Sequence, residues 1–400
     1  MDTDLKIIRK FIARFQKKYK RTFSKESRVF INKMFYYLKQ GQESYAKTTI
    51  KSETLKQVPT GEYYHLLEPS VKGAIENQLT TFHKMSFSVG NRRHFDVYMS
   101  HDGSRKWSEK WIQYIYMWLH IADHFAVPSC STKLSIYLYY TDLKKILPDN
   151  DGQVIEADHA NTAFTFACNL PGKTGQNELY VYRLEEWFKV FVHETIHSFG
   201  IDFAAMNQTE IQSRICSQDI YKVPCNDLRF YESYTETWAE LIQSMFAVFI
   251  EDQRDEDGDD DDGDDKLVLR LEEYVGYEAA FSAFQCTKVL DHFGLSYSDL
   301  FNGAASQYKE STPVFAYYVI KSVFMNYADE YIRWTMENNK GSLQFKKTAT
   351  NVNKLADLLK TFCMKNEYLA KMDEMDEIMD GVLDNVLLGE TMRMSCVSFT

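Results

Sequence analysis

The chain is 400 residues long, with 44% hydrophobic and 15% aromatic residues, enough apolar material for a large core, and this excludes a wholly disordered chain. The formal net charge is −11, so the overall balance does not point to a nucleic-acid partner. No apolar run is long enough to span a bilayer or to serve as a signal peptide, and the seven Cys include no CxxC pair and are odd in number. A cytoplasmic location and free thiols, rather than a disulfide framework, are therefore expected.

The first sixty residues are basic, with 15 Lys and Arg against 5 Asp and Glu. Within them Leu5, Ile8, Phe11, Ile12, Phe15 and Tyr19 recur at helical spacing, while Lys6, Lys10, Lys17 and Lys18 fall on the other face. The expectation is a helix docked on the protein's own body, with an anionic membrane surface as the alternative partner of its basic face. A second helix is predicted over residues 25–39. Residues 94–100 alternate like a strand, and 105–125 read as a long aromatic-rich helix containing His120 and His124, expected to be a buried, hydrogen-bonded pair.

Residues 133–140, 162–168 and 178–183 are β-rich. A helix is predicted from Leu184 to Gly200, where glycine suits the left-handed residue that ends helices. Another covers residues 232–250. Residues 251–265 hold 11 acids, which repel one another and predict a disordered loop. Beyond it 267–290, 315–338 and 351–388 read as helices. The order predicts an α+β fold divided into a basic helical region (1–60), a mixed core of strands and helices (61–250), the acidic loop (251–265) and a helical region (266–400).

The predicted helix 184–199 contains His193-Glu194-Thr195-Ile196-His197, an HExxH sequence. Residues four apart share a helix face, so both imidazoles reach one ion, and neutral imidazole nitrogens suit Zn2+. Glu194 is placed to act as general base on a metal-activated water. Zinc needs a third protein ligand. Phe203 stands where the extended HExxHxxGxxH form has its last His, and Asp202 is one residue out of register. On the next predicted helix Glu236 and Glu240 are four apart; one carboxylate completes the shell and the other accepts the free N–H of a ligating imidazole.

HExxH followed by a helix bearing a paired-acid motif resembles the gluzincin metallopeptidases, which include the thermolysin-like enzymes. The resemblance covers roughly residues 94–250 and implies a zincin-like core, with Glu236 as zinc ligand and Glu240 supporting a His. It also implies an edge strand, about thirty residues before the motif, that pairs with substrate backbone. Asn161-Thr162-Ala163-Phe164 stands at that distance, which gives Asn161 and Ala163 the substrate role.

The expected function is zinc-dependent hydrolysis of peptide or protein substrates by an HExxH metallopeptidase, with no nucleic-acid partner. The alternative is a zincin-fold binding or structural protein that retains zinc without turnover. Tyr231, Tyr234, His292, Tyr317 and Tyr318 are candidates for stabilising the oxyanion.

Overall fold

The computed structural model describes residues 3–90, 92–104, 109–168, 175–225, 227–254, 263–382 and 385–399. Residues 255–262, the centre of the expected acidic loop, lie outside the described residues. The fold is α+β. Its principal helices are α1 (Thr3–Ile12), α2 (Lys25–Ala46), α3 (Pro69–Gln78), α4 (Glu109–Asp123), α5 (Trp187–Ser198), α6 (Phe230–Asp252), α7 (Gly263–Asp291), α8 (Lys321–Asn326), α9 (Ala328–Asn338), α10 (Ala349–Cys363) and α11 (Asn366–Val382). Its strands are β1 (Lys51–Leu55), β2 (Thr81–Val89), β3 (Arg93–His101), β4 (Lys133–Tyr139), β5 (Ala163–Thr165) and β6 (Gln176–Val181). The chain forms two compact units, one of residues 33–144 and 161–205, the other of 1–32, 145–160 and 206–399.

The first unit holds one six-stranded sheet in the order β1-β2-β3-β4-β6-β5. The pairs β3–β4 and β4–β6 are parallel, and the other pairs are antiparallel. Side chains alternate between the two faces. On one face Tyr98, Tyr137, Tyr180 and Phe164 stand opposite one another in register. Their rings stack at 4.7, 4.7 and 4.8 Å between centroids. Leu67, Val71, Ile75 and Leu79, from α3 and its flanks, pack over the tyrosine-bearing face. Helix α5 packs against β5 and β6.

β5, an antiparallel edge strand, falls within the stretch 162–168 that reads as β-rich. The strands β1 and β2 were not legible in the sequence. His120 and His124 are not a buried hydrogen-bonded pair: His124 is exposed and stacks on Tyr37 at 4.4 Å between ring centroids.

The second unit is helical. In α1 the predicted apolar residues Leu5, Ile8, Phe11 and Ile12 are buried, with Phe11 edge-on to Phe284 of α7 at 5.2 Å and the Arg9 guanidinium 5.2 Å from the Tyr274 ring centroid. The stretch expected as one helix over 315–338 begins with a π-helical turn, Phe315–Ile320, and breaks at Tyr327, whose φ of −120° and ψ of 45° are not helical. The stretch expected over 351–388 is likewise interrupted, at Met364 and Lys365 and again at Asn385.

Two disulfides correct the expectation of free thiols. Cys130–Cys168 lies in the sheet unit and Cys216–Cys225 in the helical unit, closing separations of 38 and 9 residues. Neither separation forms a recognisable sequence pattern, and the odd total arises because Cys286, Cys363 and Cys396 remain as buried thiols.

Candidate functional site

Helix α5 is buried on every side, including Lys189, His193, Glu194 and His197, the condition of a helix in the interior of a domain. It starts after Glu186, which takes a left-handed φ of 57°. It ends in a Schellman arrangement: Gly200 N donates to His197 O (3.0 Å) and Ile201 N to Ile196 O (3.0 Å). Gly200 has φ +64°, and a Cβ there would stand 3.1 Å from Cys130 Sγ. Glycine is thus required both by conformation and by space, as the sequence suggested.

The last carbonyls of α5 are capped from outside the helix. Cys168 N donates to His197 O (3.1 Å), Val127 N donates to Phe199 O (3.0 Å) and Ser131 Oγ donates to Ser198 O (2.8 Å). The Cys130–Cys168 disulfide ties these capping segments together, so the end of the helix that carries His197 is held from two cross-linked directions.

The two imidazoles converge. His193 Nε2 and His197 Nε2 are 3.0 Å apart, and the two residues are only 5% and 7% exposed. His197 Nδ1 donates to Asp202 Oδ2, and Asp202 is itself buried. A carboxylate only accepts, so Nδ1 carries the proton and Nε2 is left with its lone pair. Asp202 therefore has the role that the sequence assigned to a residue of the next helix. Its signal in the sequence, an acid five residues after His197, reads there only as a possible ligand one residue out of register.

Helix α6 follows Arg229, another left-handed non-glycine residue (φ 45°). Three of the four non-glycine positive-φ residues among those described, Ser131, Glu186 and Arg229, flank α5 or α6. Such conformations cost about 1–3 kcal/mol each and cluster at functional sites. Within α6 Glu232, Glu236 and Glu240 are spaced four apart and buried, at 6%, 1% and 0% exposure, forming a carboxylate stripe along one face. Glu240, expected to support an imidazole, has Oε1 2.7 Å from Lys321 Nζ, which also donates to Ser282 Oγ at 2.9 Å.

Of the substrate residues, Ala163 opens the edge strand β5 and Asn161 lies just before it, half-buried. Among the oxyanion candidates, Tyr234 OH donates to Leu343 O (2.7 Å) and Tyr318 OH to Met392 O (2.6 Å), while the His292 Nε2–H donates to Gln153 O (2.9 Å). These three groups are committed to main-chain carbonyls. Tyr231 is half-buried and Tyr317 is 9% exposed.

No protein-family model, curated protein or solved structure matches this chain.

Proposed function

We propose that the chain is a zinc-dependent metallopeptidase with a zincin-like core of gluzincin type, acting on peptide bonds. The observation that carries this reading is the convergence of His193 and His197 with Asp202 behind one of them. Two nitrogens bound to one tetrahedral zinc at 2.0–2.1 Å stand roughly 3.3 Å apart, close to the 3.0 Å between the two Nε2 atoms. The donor set fits zinc: two imidazole lone pairs, a hydrogen-bonded carboxylate fixing one tautomer, and carboxylates one helix over.

For the third ligand we propose Glu232 in place of Glu236. His193, His197 and Glu232 are buried residues that could together hold a metal ion, and Glu240 has its own partner in Lys321. The paired-acid motif then moves back one helical turn, to Glu232 as ligand and Glu236 as the supporting acid.

When bound, zinc supplies Lewis acidity toward a water and toward the scissile carbonyl. Glu194, adjacent to His193, takes the proton of the attacking water on its carboxylate and returns it to the leaving nitrogen. The edge strand β5, with Ala163 and its neighbour Asn161, offers main-chain groups along which an extended peptide lies antiparallel.

Glu194 favours an enzyme over a zinc-retaining structural protein, because a structural site closes zinc with four protein ligands and has no use for an acid at that position. No described helix is long and apolar enough to cross a membrane. Against the expected cytoplasmic location stand the two disulfides, which persist in oxidising compartments.

The test is metal content together with turnover of a peptide library by wild type and Glu194→Gln. One zinc per chain in both proteins, with cleavage only by the wild type, is expected. Zinc without cleavage in either leaves the structural alternative. Absence of zinc from correctly folded protein overturns the reading.

A further inference from the structure

The buried face of α7 carries a polar stripe: Glu278, Ser282, Gln285 and Lys288, all at 0–1% exposure. The spacing of i, i+4, i+7 and i+10 keeps them on one side of the helix. Gln243 of α6, Tyr318 of the π-helical turn and Lys321 of α8 add to it, equally buried. Polar groups in such a position are costly unless they are paired. Their partner is a stretch without helix or strand, Thr391–Phe399.

The side chains bind its main chain residue after residue. Tyr318 OH donates to Met392 O (2.6 Å) and Lys321 Nζ to Met394 O (3.2 Å). Gln243 Nε2 donates to Val397 O (2.6 Å) and Gln285 Nε2 to Thr391 O (3.0 Å) and to Arg393 O. Lys288 Nζ donates to Leu388 O (2.9 Å) and to Thr391 O. In the other direction Cys396 N and Val397 N donate to the two oxygens of Glu278 at 3.1 and 2.9 Å. The segment enters through an antiparallel bridge between Thr391 and Ile146, with Met392 N donating to Lys145 O (2.9 Å).

We propose that this groove is a binding site for an extended peptide with small or apolar side chains, and that Thr391–Phe399 is its resident occupant, held in cis. A core formed only for stability would be lined by apolar side chains. This one presents lysine, amide and phenol donors to the carbonyls of residues 391–394 and 397, and a carboxylate to the amides of residues 396 and 397. Recognition through main-chain groups gives affinity, while the burial of Met392, Met394 and Cys396, at 0–4% exposure, limits the side-chain size. The site does not depend on the zinc reading.

The test inserts a specific protease site between Val382 and Asn385 of the full chain, cuts the folded protein, and adds a fluorescent peptide of residues 386–399. Exchange of the severed segment for the peptide is expected, with a Kd in the micromolar range or below, weakened at least 10-fold by Glu278→Gln and by N-methylation of Val397. Loss of near-UV circular dichroism on cutting, or a severed segment that never exchanges, overturns the proposal and makes the segment part of the core.

Hydrogen exchange of the uncut, unmodified chain tests it independently of the insertion. The Cys396 and Val397 amides are expected to exchange at least 100-fold faster than the mid-helix amides of α7, through release of the segment alone. Equal protection would mean that the segment leaves only when the whole unit unfolds, and would exclude a replaceable occupant.

Discussion

The Nδ1–H of His197 donates to the buried carboxylate of Asp202, and this bond settles which nitrogen of His197 faces His193. The neighbouring oxygen of Asp202 accepts from Ala204 N at 3.3 Å, so the carboxylate is fixed in turn. Asp202→Ala is therefore expected to weaken zinc binding by about 10–100-fold with the secondary structure intact. Competition against a chromogenic chelator measures it, and undiminished affinity would detach Asp202 from the metal.

The three carboxylates of α6 are expected to separate by role. Glu232→Ala abolishes stoichiometric zinc, Glu236→Ala weakens it, and Glu240→Ala leaves it unchanged. Metal analysis after gel filtration reads the ranking. If Glu236→Ala loses the ion and Glu232→Ala retains it, the ligand stands one turn further along, where the sequence first placed it.

Glu240 and Lys321 form an ion pair with no exposed side-chain surface on either partner. Removing one partner leaves the other charge buried, which costs about 3–5 kcal/mol. Glu240→Leu and Lys321→Met are each expected to lose that much in urea denaturation, and the double substitution to recover a substantial part. Additive losses would show that the two charges do not depend on each other.

Burial pushes the Glu310 carboxyl up to about 7, against the hydrogen bonds it accepts from the Phe315 amide and the Tyr308 hydroxyl. The residue is half-exposed as a whole, but its Oε1 is buried with no hydrogen-bond partner among the described residues. Between pH 4.5, the ordinary value, and about 7 the folded chain keeps a proton that the unfolded chain releases. Stability contributed by this group is thus present at low pH and lost as pH rises through that window, by about 3 kcal/mol in total. Glu310→Gln is expected to flatten this part of the stability profile, measured as unfolding free energy at pH 5 and pH 7.5. Parallel profiles for the two proteins would refute the shift.

The Cys130–Cys168 bridge links the segments that cap the end of α5. Replacing both cysteines by serine is expected to cost about 2–4 kcal/mol and to lower zinc affinity through His197. Calorimetry with and without excess zinc reads both effects. A stability loss with unchanged affinity would confine the bridge to the fold.

The sequence announced the elements whose patterns are local. The HExxH helix, its glycine stop, the strands at 94–100 and 133–140 and the apolar face of α1 follow from periodicity and one conformationally demanding glycine. What escaped it was set by partners distant in sequence. β1 has four of its five residues exposed and so shows no apolar alternation. The charge on Glu240 looked available until Lys321, eighty-one residues away, was seen beside it. Asp202 missed the spacing of a zinc ligand by one residue, and nothing local distinguishes an acid that binds an ion from one that holds the imidazole doing so. The polar stripe on α7 reads in sequence as an ordinary amphipathic helix, because its counterpart lies a hundred residues further on.

The stacked rings of Tyr98, Tyr137, Tyr180 and Phe164 bear on the shortest strand of the sheet. With only Ala163, Phe164 and Thr165, β5 has too few ladder bonds to resist slipping, and a shift by one residue would swing Phe164 out of the stack onto the opposite face. The aromatic column thus acts as an index pin: it sets the phase of the sheet's margin from the far side, and with it the alignment of any polypeptide laid along that margin.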